Sequence, residues 1–286
     1  MMESQMRSLF DERGRCIPHM ISCSSGVGLR ESRIVDPEPW LRLDQPRIDY
    51  AACFARIVNY FMSGVKYWFT RRLPILAEEF ERRSRAILER LDADSRTANI
   101  LKGVYLPFCL PVCKVADYGT FFEKTLLPAI DRAYQASNPK GRGVLRYQQA
   151  GLYAGQITTV HGSRHENFMD ALSQRTVVGL YFPTVFRGFS VEADLEQLEH
   201  LPDEFLLAGA IETAVACVIY PQLWKCLSLF LDCAAVRWQD KERSGLSLKT
   251  ISIQPDATRG AMIREAFLNC QDRHLSTHSG GLVVLG

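Results

Sequence analysis

An α+β protein, or an irregular α/β one, is what the amino-acid sequence predicts, with a helical N-terminal half packed on a small mixed sheet formed mainly by the C-terminal half. Three observations carry this expectation. Apolar residues recur at three- and four-residue spacing from Tyr50 to Leu91, the signature of amphipathic helices. Short β-branched and aromatic runs cluster after residue 144. A chain of 286 residues that is 47% apolar and 23% charged has an ordinary packed composition and enough apolar side chains for a sizeable core.

Residues 1–45 read as a loosely ordered N-terminal arm and 46–286 as a single globular α+β domain. Arg, Ser, Gly and Pro dominate the arm, and Asp36-Pro37-Glu38-Pro39 excludes a regular element. Gly26-Val27-Gly28 has neither a preceding strand nor a third glycine or Lys-Ser/Thr after it, so it is a turn and not a phosphate loop.

From Tyr50 a helix is expected to bury Phe54, Ile57, Phe61 and Val65, with Tyr50, Tyr60, Tyr67 and Trp68 widening its apolar face. Pro74 suits the first turn of a second helix, which runs to about Asp92 and carries Leu76, Phe80, Ile87, Leu88 and Leu91 as its apolar residues. On its outer side Glu78, Glu79 and Glu81 stand four residues before Arg82, Arg83 and Arg85, a solvated face of acid-first pairs. Thr120 and Glu123 form a capping box that starts a helix to about Ala136, kinked at Pro128. A surface turn follows at 138–143.

Strands are expected at 144–147, 155–160, 177–182, 248–253 and 281–285, with helices at 191–200, 203–219, 222–236 and 258–269 between them.

Net charge of +2, from 34 basic and 32 acidic residues, gives no field that draws the chain to a polyanion, so nucleic acid is not an expected partner. Nine cysteines without a dense, regular spacing suit a reducing, cytoplasmic compartment with buried thiols and no disulfides. The first ten residues lack the apolar stretch of an export signal. Glu212 and Pro221 interrupt the nearly uncharged run 205–224, which therefore reads as core and not as a membrane span. Oligomeric state is not legible.

Chemistry concentrates at His161-Gly162-Ser163-Arg164-His165-Glu166. Histidines four apart are a familiar zinc arrangement, and Cys109 and Cys113 would supply two thiolates. Ser163 with Glu166 is also a capping box, which leaves His161 outside the helix and His165 in its first turn. Zinc is therefore not favoured, and no other cofactor is signalled. Glu212 stands among apolar residues on every side and needs a partner such as Arg187 or Arg237; Asp232 poses the same problem. Gly179 and Gly188 bracket a strand end and proline turn that present Tyr181 and Arg187, a cation suited to a carboxylate or phosphate.

The function expected from these residues is a small-molecule enzyme or ligand-binding protein using acid/base chemistry on an anionic substrate. His165, Glu212 and His161 are its catalytic candidates, Arg187 and Tyr181 its substrate-binding ones. The alternative is a non-catalytic helical protein that presents the aromatic groove of Tyr60, Tyr67 and Trp68 to a partner.

Overall fold

The computed structural model describes residues 8–19, 34–37, 39, 42–62, 75–137, 153–225, 229–238, 249–254, 262–267 and 276–286. Among them seven α-helices surround one nine-stranded sheet. The helices are α1 (Tyr50–Ile57), α2 (Ala77–Ala93), α3 (Tyr118–Phe121), α4 (Leu127–Ser137), α5 (His165–Gln174), α6 (Val191–Glu199) and α7 (Ala210–Ile219). The strands are β1 (Leu106–Leu110), β2 (Ile157–Thr159), β3 (Val177–Arg187), β4 (Phe205–Leu207), β5 (Phe230–Asp232), β6 (Val236–Trp238), β7 (Lys249–Gln254), β8 (Met262–Phe267) and β9 (His278–Leu285). Helices dominate up to α4 and strands from β3 onward, so the α+β class holds.

The sheet runs β1-β3-β9-β5-β7-β6-β2, with β4 also on β9 and β8 on β7. Only β5 with β9 is parallel; every other pair is antiparallel. Both faces are covered, and side-chain alternation divides the residues between them. Tyr181, Leu206 and Val283 join the layer that holds α1, α4 and α7. Leu180, Phe182, Phe205, Leu207, Leu282 and Val284 join the opposite layer with α6. Phe10 and Cys16, from residues 8–19, are buried in that second layer, and Cys16 N–H donates to Val185 O.

Three expected helices are replaced, wholly or in part, by strands. Residues 203–219 divide into β4 and α7 at Gly209, because Phe205-Leu206-Leu207 takes the open edge of β9 from Val284 to Leu282. In 222–236 a 3-10 turn (Pro221–Lys225) precedes β5, which lies between β9 and β7. The described part of 258–269 is β8, hairpinned onto β7. A short apolar run has no period of its own, so the partner beside it decides its form.

Other boundaries shift for local reasons. Asp117, not Thr120, caps the helix: its Oδ1 accepts from Thr120 N–H at 2.6 Å, and both its oxygens accept from Gly155 N–H at 3.1 Å. Ahead of Pro128 the chain widens into a π-turn (Phe122–Leu126), with Leu127 N–H bonded to Phe122 O, and so accommodates a residue that has no N–H of its own. β3 does not end in a proline turn but continues through Pro183 to Arg187, its register with β9 slipping between Phe182 and Phe186. On α2, Glu79 pairs with Arg82 and Glu81 with Arg85, while Arg83 reaches Thr176 O and Gly286 O. Ile57 and Phe61 are fully buried and Phe54 packs against the same core. Val65, Tyr67, Trp68, Gly26 to Gly28, and 138–147 lie outside the described residues.

Candidate functional site

Three helix starts meet below β4. Tyr118 opens α3, His165 opens α5, and Glu212 lies in the first turn of α7. Each is placed by its own local sequence.

Before α5 the chain makes a tight turn in which Ser163 Oγ donates to Val160 O at 2.6 Å and accepts from His165 N–H at 3.3 Å. The helix cap is Arg164 and not Ser163, and Arg164 has the left-handed φ of 58°. It is alone in this among described non-glycine residues. That conformation costs roughly 1–2 kcal/mol for an L-residue. Its guanidinium offsets the strain by donating to the carbonyls of Leu201, Pro202 and Phe205, which ties the turn to the loop before β4. His165 is thereby directed into the core, where its ring stacks on Phe168 at 5.2 Å.

α7 starts at Gly209, whose N–H donates to Glu212 Oε2 at 3.2 Å. This is the glutamate arm of a capping box; a glycine has no side-chain oxygen for the other arm. The glycine is required by close approach: a Cβ there would stand 2.7 Å from His165 Cε1 and 2.7 Å from the Tyr118 hydroxyl.

The resulting array is buried. His165 and Glu212 are both 0% exposed, with Nδ1 and Oε1 3.3 Å apart. The two atoms are in ion-pair range but off the line of a good hydrogen bond, and neither has another hydrogen-bond partner. On the far side of the ring, Nε2 lies 3.4 Å from the Tyr118 hydroxyl, which also accepts from Ile211 N–H at 3.3 Å. Burial first, and then the nearby Glu212 charge, push the Tyr118 phenol well above its ordinary pKa. Tyr118 is therefore a neutral hydrogen-bond donor at physiological pH.

Tyr118 also lines a cleft of about 360 Å³ together with Thr158, Thr159, Glu166, Met169 and Asp170. Glu166 and Asp170 stand one turn apart on α5, both exposed. The expected Ser163-Glu166 capping box is not the cap of this helix, and Glu166 faces the cleft instead.

The remaining candidates are dispersed. His161 is exposed on the turn before α5. Tyr181 is fully buried, its hydroxyl accepting from Thr213 Oγ1 at 3.4 Å, one residue after Glu212. Arg187 ends β3, six residues further along, and its carbonyl accepts from Arg15. Neither Arg187 nor Arg237 is the ion-pair partner of Glu212, whose neighbour is His165. Asp232 is held by His278, Nδ1 lying 3.0 Å and 3.1 Å from its two oxygens. Cys109 and Cys113 are buried, and burial pushes the Cys113 thiol up to about 12. Among the described residues no three His, Cys, Asp or Glu side chains are grouped to hold a metal ion. Tyr60 packs against the core.

Tyr118 is the member of the array that sequence reading missed. Its signal was present in Asp117-Tyr118-Gly119-Thr120, an N-cap aspartate followed by an aromatic first residue. No described helix is long and apolar enough to cross a membrane. No family model matches this chain, and neither a curated protein nor a solved structure matches it.

Proposed function

We propose that the chain is a small-molecule enzyme or ligand-binding protein whose chemistry is proton transfer, sited where α3, α5 and α7 begin. The observation that carries this reading is the series Glu212 Oε1, His165 Nδ1, His165 Nε2 and Tyr118 hydroxyl, buried behind a cleft that Tyr118 itself lines. A neutral imidazole protonated at Nδ1 places that hydrogen on the Glu212 side of the ring and leaves Nε2 to accept from the phenol. When a ligand in the cleft releases a proton to Tyr118, the phenol passes its own to Nε2, and the imidazolium forms beside a carboxylate. Contacts of 3.3 to 3.4 Å are long for such a chain, and catalytic hydrogen bonds commonly tighten only around a bound ligand.

The cleft's charge argues for a ligand class different from the anion expected from Arg187. Glu166 and Asp170 make the cleft negative, and Arg187 lies about 20 Å along β3 from Tyr181. A neutral polyol or a cationic amine meets the threonines and carboxylates without repulsion.

Screening the full chain against amines, polyols and carboxylates by thermal shift, with NMR of Met169 as a local reporter, tests the reading. At least one amine or polyol should raise the Tm and perturb Met169, and Tyr118→Phe should abolish any turnover of that compound while leaving its binding within a few-fold. Binders confined to carboxylates, or a Met169 signal that no compound moves, would overturn it.

A further inference from the structure

Away from the α5 cleft, the face of the sheet under α6 carries a carboxyl group with no visible means of holding a charge. Asp194 is 0% exposed, and among the described residues neither of its oxygens has a hydrogen-bond partner. It lies in the helix capped by Ser190, whose side chain accepts from Ala193 N–H. Its carboxyl rests on the backbone of Gly280, where an added Cβ would come within 1.9 Å of Oδ2. The carboxyl thus occupies the place of the side chain that β9 lacks there.

Gly280 is paired in parallel register with Asp232 of β5, and residues paired in that way project from the same face. Asp232 therefore shares the surface on which Asp194 lies. Its own carboxylate is engaged by His278, two residues before Gly280 on the same face. Glu192 adds a third acid from α6 itself. Arg237 of β6 is the cation near Asp194, but its Nη1 donates to the carbonyls of Ala234 and Val236. From residues 8–19, Cys16 lies near both Asp194 and Asp11. An ionised carboxylate without hydrogen bonds, beside two other acids, is among the costliest groups a core can hold, and protonation removes most of that cost.

We propose that Asp194 is carried as the neutral carboxylic acid in the folded protein at neutral pH and acts as a pH-sensitive clasp between α6 and the sheet. Loss of its proton in alkali places a charge without a hydrogen bond beside the His278-held Asp232 and lifts α6 from Gly280. The N-terminal segment moves with the helix, because Gln197 holds His19 through His19 N–H at 2.6 Å and the His19 ring stacks on His200. Burial, then Asp232, then Glu192 raise the Asp194 pKa well above 3.8, and Arg237 opposes them. With the folded value raised, the contribution of the acid to stability is fully present below about 3.8 and is lost as pH rises through the folded value.

The full chain and Asp194→Asn are to be compared by urea denaturation between about pH 4 and pH 9. An asparagine keeps the shape without the ionisation, so the two midpoints should nearly coincide at the acid end and separate as pH rises, with the variant the more stable. A gap independent of pH, or wild type gaining on the variant as pH rises, overturns the proposal. Should the variant fail to fold, carboxyl 13C NMR of aspartate-labelled wild type decides: one resonance at the protonated position at pH 7 supports it, and none overturns it.

Discussion

Glu212 was expected to be buried because apolar residues surround it in the sequence, and it is; its partner, however, is a histidine from a distant helix and not an arginine. Two variants separate its roles. Glu212→Ala orphans the Gly209 N–H and takes the carboxylate away from His165 in a dry site, and should cost about 3 kcal/mol in urea denaturation. Glu212→Gln keeps an oxygen for Gly209 and should cost about 1 kcal/mol while abolishing proton transfer to any ligand found. Equal losses of stability in the two variants would show that the carboxylate has no special role. Arg164 invites a second comparison. Its φ of 58° suits glycine, so Arg164→Gly should be more stable than Arg164→Ala by about 1 kcal/mol although both lose the same three carbonyl contacts. The reverse order would mean that the turn relaxes out of the left-handed region once the guanidinium is gone.

At the scale of elements, the helix from Tyr118 to Ser137 is one continuous run with a π-turn in its middle, and Asp117 caps its start. The same carboxylate caps α3 and ties down Gly155 ahead of β2. Asp117→Ala should therefore cost about 2 kcal/mol, at the upper end for a helix cap, and should loosen Tyr118 together with the start of β2. Faster hydrogen exchange at both Thr120 and Gly155 is the expected readout; a change at Thr120 alone would limit Asp117 to the cap. Gly119 lets this junction close up, since a Cβ there would stand 1.6 Å from Tyr153 O.

For the molecule as a whole, the nine-stranded sheet with cover on both faces leaves few described apolar side chains in water; Ile17 and Leu76 are the large ones that are exposed. Thiols follow the same rule. All six described cysteines are buried, and burial pushes Cys16, Cys113 and Cys217 to about 12, so little thiolate forms near neutrality. Native protein at pH 8 should accordingly expose no more than Cys23, Cys226 and Cys270 to a thiol-specific reagent, and all nine once denatured. Rapid modification of Cys109 or Cys233 in the native state would mean that the core opens far more readily than its packing implies.

The sequence by itself determined whatever depends on neighbours a few residues apart. The periodicity of 50–61 and 77–91, the helix beginning at Val191, the apolar run of β3 and the burial of Glu212 are all local facts, legible because a helix turn or a strand pleat repeats within the window. Only the tertiary structure decided the fate of Phe205 to Leu207, Leu229 to Trp238 and the segment of β8. These runs are too short to carry a period, and each becomes a strand because an open edge of β9, β7 or β2 lies beside it. The buried array of Tyr118, His165 and Glu212 was half legible: His165 and Glu212 stood out as a polar cluster and a buried acid, but nothing local could join them to each other or to Tyr118. They lie 47 residues apart in sequence for Tyr118 and His165, and their meeting follows from how α3, α5 and α7 start against the same sheet. Hydrogen-bond partners across such separations are chosen by the packing of elements, and packing is not written in any window of the chain.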